Sequence, residues 1–371
     1  MISKKLGLAK GQHLDEVLPN GRIPTNIILD KTICGCGATH SEIESKRDTI
    51  MIVPNVPVIE GKMKKHPNLL GVYEGVTSND VIAYLQNKAI KHKKIMTTPE
   101  SFTKVKTAMK KLKINMRNTY FMLFDECEKL IQDVDYRGDI KLPMNDFFRF
   151  KSKAMVSATP ILPSDPRFAK QGFKIWKVAP KYDYKKNLRL VLINNTVYYI
   201  RTLIMMAARL NKKLCIFMNS TDTIIGIIQL LKLEDRTKVF CGQDSVKKLK
   251  KEYGFRQASI NLSELAPITF FTSRFYSAVD IDLEEQPIVV VLTDVFQATQ
   301  SMVDPQTEVV QAVGRFRNGT HAIFHVTNFD AELTWMKPDE FWKYLKGQEQ
   351  IYKNIKSMEA DDMITGGILK E

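Results

Sequence analysis

At 371 residues the chain is too long for one ordinary core and comfortable for two domains of moderate size. Its 44% hydrophobic and 26% charged content is that of a soluble globular protein, and no apolar run approaches the roughly 18 to 20 residues needed to cross a bilayer. The net charge of +14, with a pI near 9.3, points to a polyanionic partner, of which nucleic acid is the commonest. The basic start, MISKKLGLAKGQHLDEVLP, carries no apolar stretch of the secretory kind, so a cytoplasmic protein with no membrane partner is expected.

Along the chain a short β-rich apolar run is repeatedly followed by a polar turn and a helical stretch. The first series comprises NIILD (26–30), TIMIVP (49–54), KIMTT (94–98), YFMLFDE (120–126) and KAMVSAT (153–159). Segment 163–187 interrupts it with three prolines and many charges, and a join between two α/β domains is expected near its end. The second series is LRLVLIN (188–194), KLCIFMN (213–219), TKVFC (237–241), ITFFTS (268–273), PIVVVLTD (287–294) and AIFHVTN (322–328). Continuous apolar strands alternating with helices predict parallel sheets covered on both faces. From Lys337 onward the chain reads as helix, and its ending, MITGGILKE, has no terminal cap, which suggests a longer natural polypeptide. The expected division is 1–183, 184–335 and a C-terminal helical tail, 336–371.

Lysines cluster in Lys62–Lys65, Lys91–Lys94, Lys104–Lys113 and Lys247–Lys251. In the third cluster Val105, Ala108, Met109 and Leu112 share one helical face, which makes a solvated amphipathic helix the plain reading. The five cysteines, Cys34, Cys36, Cys127, Cys215 and Cys241, are odd in number and scattered, against a disulfide framework. Cys34 and Cys36 lack a second Cys/His pair at zinc-ligand spacing, so metal binding by these thiols is not expected.

Some segments carry chemistry. ICGCGATH (33–40) follows a strand and precedes a helix expected near Ser41. Gly35 and Gly37 allow backbone N–H groups to approach a phosphate, the helix N-terminus adds its positive end, and Thr39 is placed to ligate Mg²⁺. A plain glycine-rich turn is the alternative. LFDECEKL (123–130) brings Asp125 and Glu126 to a strand's C-terminal end, where ligands of open α/β sheets collect. Asp125 can hold Mg²⁺ and Glu126 can orient or deprotonate water, although two acids also suit an ordinary helix start. MVSATP (155–160) ends another strand with small hydroxyl residues that are also ordinary turn chemistry. In VVQAVGRFRNG (309–319), Gln311, Arg315 and Arg317 surround Gly314, and two guanidinium forks suit a triphosphate, with an exposed basic turn as the bland reading.

In this order, GCGAT, DECE, SAT and QxxGRxR resemble motifs I, II, III and VI of superfamily 2 (DEAD/DEAH-like) helicases. IVPNVPVI (52–59) looks like motif Ia, TTPES (97–101) like Ib, IFMNS (216–220) like IV and TSRFYSAVDI (272–281) like V, with Ala278 where glycine is usual. The combination of GxGAT with DECE most resembles helicase-like proteins of bacteriophages and mobile elements. The resemblance spans roughly residues 30 to 320. It implies two tandem RecA-like domains, each a mainly parallel sheet flanked by helices, with ATP and Mg²⁺ in the cleft between them.

Carried onto this sequence, the resemblance gives Gly35, Cys36, Gly37, Ala38, Thr39 and Lys31 to the nucleotide, Thr39 and Asp125 to Mg²⁺, and Asp125, Glu126, Gln311, Arg315 and Arg317 to hydrolysis. Ser157, Ala158, Thr159 and Asp280 would couple the nucleotide to the strand. Pro54, Asn55, Thr98, Pro99, Glu100, Asn219, Ser220, Thr272 and Ser273 would touch the nucleic-acid backbone, giving little sequence preference and strong salt dependence. The implied partners are single-stranded or partly duplex nucleic acid, DNA favoured, and replication or recombination proteins.

Ala38 departs from the pattern GxGKS/T, which has lysine there. Loss of one preorganised donor costs on the order of 3 kcal/mol, roughly 10²–10³ in rate. Lys31, at the strand end, and His40, after the loop, are the candidate substitute cations. An ATP-dependent helicase or translocase is the leading expectation, and a non-hydrolysing nucleic-acid-binding or assembly module the alternative.

Overall fold

The computed structural model describes residues 2–129, 142–163, 165–277, 280–332 and 336–359. Ala278, Leu130 of the acidic segment and the terminal MITGGILKE lie outside them.

Apolar runs rich in isoleucine, valine and phenylalanine cannot leave either face in water, so most become strands covered on both sides; LRLVL (188–192) departs from that expectation, its Leu188, Leu190 and Leu192 being exposed. The first sheet contains β1 (Ile2–Leu8), β2 (Ile27–Asp30), β3 (Thr49–Ile52), β4 (Leu69–Val72), β5 (Lys94–Thr97), β6 (Phe121–Asp125), β7 (Ser152–Ser157) and β8 (Lys174–Pro180). Its order is β1-β8-β2-β7-β6-β3-β5-β4, and every pairing is parallel. The second sheet contains β9 (Leu188–Leu192), β10 (Leu214–Phe217), β11 (Thr237–Phe240), β12 (Ala258–Ser259), β13 (Ile268–Phe271), β14 (Ile288–Thr293) and β15 (Ala322–Thr327). It runs β12-β11-β13-β10-β14-β15-β9, again all parallel.

Each sheet has a core on both faces. In β2, Ile27 and Leu29 pack into one cluster and Ile28 into the other. In β14, Ile288, Val290 and Leu292 face one cluster while Val289 and Val291 face the opposite one. That is the period-2 alternation of a strand buried twice. Both sheets belong to one compact unit, residues 1–328; the second unit, 329–371, contains the helix Pro338–Glu359.

The helices that position the site are α1 (Ala38–Glu44), α2 (Val56–Lys65), α3 (Phe102–Lys111) and α4 (Glu308–Val313). Phe102, Val105, Ala108 and Met109 form the buried face of α3, in keeping with its amphipathic pattern. Segment 163–187 corrects one expectation. It contains the helix Pro166–Lys170 and the strand β8, inserted between β1 and β2, rather than only a break. The alternating lysines of KIWKVAP hide this strand, because only Val178 in it is fully buried.

Candidate nucleotide site

All strands of the first sheet being parallel, their C-terminal ends meet along one edge. Asp30 pairs with Ser157, and Asp125 with Val156, so the residues following β2, β6 and β7 converge there. The Lys31 N–H donates to the Ser157 carbonyl at 2.7 Å, extending β2 by one bond and turning the lysine into the sheet's end. Beyond it, the Asp30 carboxylate accepts from the Thr32 N–H at 2.8 Å, which holds Thr32 in a left-handed conformation, φ 61°. Gly35 (φ 78°) and Gly37 (φ 92°) then take left-handed backbone that favours glycine, and α1 begins at the buried Ala38. The helix therefore starts three residues earlier than the expected Ser41.

α1 is held from behind by Glu42, which is fully buried. Its carboxylate accepts from Arg47 Nε at 2.8 Å and from the Thr49 hydroxyl at 2.6 Å. With this helix fixed, the Thr39 hydroxyl donates to Asp125 Oδ2 at 2.5 Å.

Lys31 is ion-paired with both acids. Its Nζ lies 3.2 Å from both Asp125 Oδ1 and Glu126 Oε1, and the lysine is only 6% exposed. Burial opposes its charge, but Asp125 and then Glu126 outweigh burial and hold its pKa well above the ordinary lysine value. The same pairing acts in reverse on Asp125. Burial disfavours its anion, yet Lys31 and the Thr39 hydroxyl keep its carboxyl below the usual range. Glu126 adopts φ 54°, a left-handed strain of about 1 kcal/mol that aims its carboxylate away from the strand. His40, the other candidate cation, lies among histidines. Its ring is turned toward His13 and His66, at centroid distances of 6.1 and 5.3 Å.

The second sheet reaches this cluster through α4. Gln311 Nε2 donates to Glu126 Oε2 at 2.9 Å, Glu128 Oε1 at 3.1 Å and Thr159 Oγ1 at 3.3 Å, so two amide protons serve three acceptors. Its Oε1 accepts from Arg315 at 2.7 Å and from the Cys34 thiol at 3.5 Å. Arg315 is 5% exposed and also donates to the carbonyls of Gln311 and Ser277, each at 2.9 Å. Arg317 pairs with Asp280 and lies against the glycine loop: a Cβ added to Gly35 would meet its Nη1 at 2.0 Å. Glu126 after one sheet and Gln311 after the other are thus in direct contact, with Arg317 against the glycine loop.

Comparison with known proteins agrees with this geometry at the level of the fold. No family profile matches the chain, and no curated protein matches it in sequence. Among solved structures, it is similar to S. cerevisiae Dbp5 bound to RNA and ADP BeF3, with TM-score 0.54 and 13% identity over 83% of this chain and 80% of that one. A substituted form of Dbp5, bound to a substituted Gle1 and IP6, gives TM-score 0.51 and 14% identity over 83% and 79% of the two chains. The chain thus shares its fold with these two structures.

Within this fold the remaining sequence candidates are placed as follows. Ser157 and Ala158 are buried beneath the acids, and the Ser157 hydroxyl accepts from the Thr159 N–H at 2.9 Å. The nucleic-acid candidates all lie just past strand ends: Pro54 and Asn55 after β3, Thr98, Pro99 and Glu100 after β5, Asn219 and Ser220 after β10, Thr272 and Ser273 after β13. Asn55, Glu100, Asn219 and Ser273 are half-buried; the others are buried. Two of the buried hydroxyls are already used, Ser220 as the cap that accepts from the Thr223 N–H and Thr272 as a donor to the Phe240 carbonyl. Asn219 donates to the Gln300 carbonyl at 3.1 Å.

Sequence reasoning passed over Glu128 and Lys62. Glu128 is fully buried, and burial first, then the adjacent Glu126 charge, push its pKa up to about 8. Lys62, on α2, is half-buried; burial lowers its pKa, while Asp280 and Asp125 oppose that. The second glutamate of DECE was visible as a motif letter, but its burial was not.

Proposed function

We propose that the chain is an ATP-dependent helicase or translocase, working in the cytoplasm on nucleic acid, with lobes 1–183 and 184–335 and a tail, 336–371. The observation that carries this reading is Gln311, presented by one sheet and bonded directly to Glu126 of the other. Such a link lets chemistry at one lobe be felt by its neighbour. Neither ATP nor Mg²⁺ is part of the structure, but the donor set suits them. Thr39 and Asp125 offer the hard oxygens that Mg²⁺ prefers, and Lys31 and Arg317 offer cations for phosphates. Bound Mg·ATP would supply the cleavable phosphoanhydride and the charge that polarises it.

The chain's own groups divide the remaining work. Gly35 and Gly37 open the loop backbone toward phosphates. Glu126, held by Lys31 and Gln311, accepts a proton from water at its carboxylate. Lys31 takes the place of the lysine missing at Ala38, approaching the acids from the strand end. Arg317 serves as the phosphate-facing guanidinium, while the buried Arg315 holds the Gln311 amide in position. Ser157, Thr159 and Asp280 connect this cluster to the strand-binding edge, where Pro54, Asn55, Thr98, Pro99, Glu100, Asn219, Ser220, Thr272 and Ser273 are the proposed contacts. The similarly folded Dbp5 carries RNA, and DNA is our preferred substrate here, on a chain whose GCGAT–DECE combination suggests a phage or mobile-element protein.

One observation favours a second reading, a non-hydrolysing nucleic-acid module. Lys31 is already committed to both carboxylates, and Ala38 supplies no other cation. Steady-state ATPase assays with single-stranded DNA, single-stranded RNA or neither separate the two. Strand-stimulated turnover that disappears in Glu126→Gln supports the motor; tight strand binding without hydrolysis replaces it with the second reading.

A further inference from the structure

We propose that His40, Glu44 and His66 form a binding site for a divalent transition metal of the zinc class. One donor atom from each lies within 4.8 Å of the other two, the group of this kind found among the described residues. His40 and Glu44 are four residues apart in α1, which places them on one face of the helix. His66 caps the C-terminal end of α2, and its Nδ1 lies 2.9 Å from Glu44 Oε1. The rings of His40 and His66 are 5.3 Å apart at their centroids.

The two helices are set independently. Glu42, Arg47 and Lys94 lock α1 onto β3 and β5, and the buried Ile59 seats α2 on the first sheet. Neither anchor requires the three side chains to meet. An ion pair between Glu44 and His66 accounts for two of them, but not for His40 turning to the same point. Zinc holds imidazole nitrogen and carboxylate oxygen at about 2.0–2.2 Å, so tetrahedral donors stand about 3.4 Å apart. The Glu44–His66 pair, at 2.9 Å, is already inside that spacing and needs only to open slightly around an ion. Closing the remainder requires a side-chain rotation, for which Glu44 has room, its side chain being 59% exposed.

Donor chemistry separates this site from the oxygen pair of Thr39 and Asp125. Two imidazoles and one carboxylate select zinc, cobalt or nickel over magnesium. Three protein donors leave a fourth position open, and two of them, Glu44 and His66, line a cavity of about 370 Å³. A metal there would staple α1 to α2, one residue beyond Thr39. The inference stands whether or not ATP is hydrolysed.

The test is calorimetric titration of Zn²⁺ into the full chain, stripped with chelator and kept in excess Mg²⁺, with Co²⁺ as a visible-absorption probe. One zinc ion per chain is expected, binding at least about tenfold more weakly in both Glu44→Gln and His66→Ala, with a zinc-dependent rise in Tm that both variants lose. Because Glu44 is largely exposed, its variant keeps the fold and the comparison stays interpretable. Absence of zinc binding overturns the proposal. So does binding unchanged in both variants but lost when Cys34 and Cys36 are replaced by serine, which would assign the metal to the thiols.

Discussion

Lys31 and Lys94 are buried to nearly the same degree, 6% and 4% exposed, and stand at the two ends of the first helix, yet their electrostatics are opposite. Lys31 meets two carboxylates, which hold its pKa well above normal in spite of burial. Lys94 meets the Glu42 carbonyl at 2.7 Å, the Ser45 hydroxyl at 2.9 Å and the Thr49 hydroxyl at 3.3 Å. Burial lowers its pKa to about 8, and Glu42 offsets only part of that because its carboxylate is already matched by Arg47. Equal burial therefore says nothing about role; the charge of the company does. A lysine among neutral acceptors braces the helix, whereas a lysine among acids at a strand end is equipped to manage charge.

The largest test of this contrast is Lys31→Ala, expected to reduce ATPase turnover by roughly 10²–10³. Lys94→Met should leave turnover within a few-fold of wild type in the same steady-state assay, and equal losses in both would erase the distinction. Next in size, Gln311→Ala should lower strand-stimulated turnover by about tenfold while leaving unstimulated turnover nearly intact, since it removes the link between sheets rather than an acid.

Smaller effects appear in stability against pH. The lowered Lys94 pKa means the folded state sheds this proton first, so stability rises between about 8 and the ordinary lysine value of 10.5 and is lost as pH falls through about 8. Urea titrations of Lys94→Met should lack that rise. Glu128 slopes the other way: its folded pKa of about 8 exceeds the ordinary 4.5, so its contribution is complete below 4.5 and is lost as pH climbs through about 8. Glu128→Gln should remove this decline, and an unchanged profile would show that its carboxyl is ionised in the folded protein.

The interior of the fold was readable because a strand covered on both sides has to be apolar throughout. β2, β3, β5, β6, β7 and most of the second sheet declared themselves in this way. β1 and β8 did not, since ISKKLGL and KIWKVAP mix lysines into strands that are largely exposed or half-buried. LLGV and the two-residue β12 are too short to show any periodicity. At the site, the order of GCGAT, DECE, SAT and QxxGRxR indicated which segments to examine. It could not reveal that Lys31 spans the end of the sheet to Asp125, because that depends on the left-handed turn at Thr32. Nor could spacing associate His66 with His40, which only the folding of α2 against α1 brings close.

Gly314 has a consequence of its own. Its backbone is ordinary helix, φ −67°, so glycine is not required there by conformation. What opposes a side chain is distance: a Cβ would lie 2.6 Å from the Cys34 sulfur in the loop that follows β2. A single methyl group at 314 would therefore act as a doorstop. It would press the Gly314 turn and the Cys34 loop apart at a point where segments following the two sheets now touch.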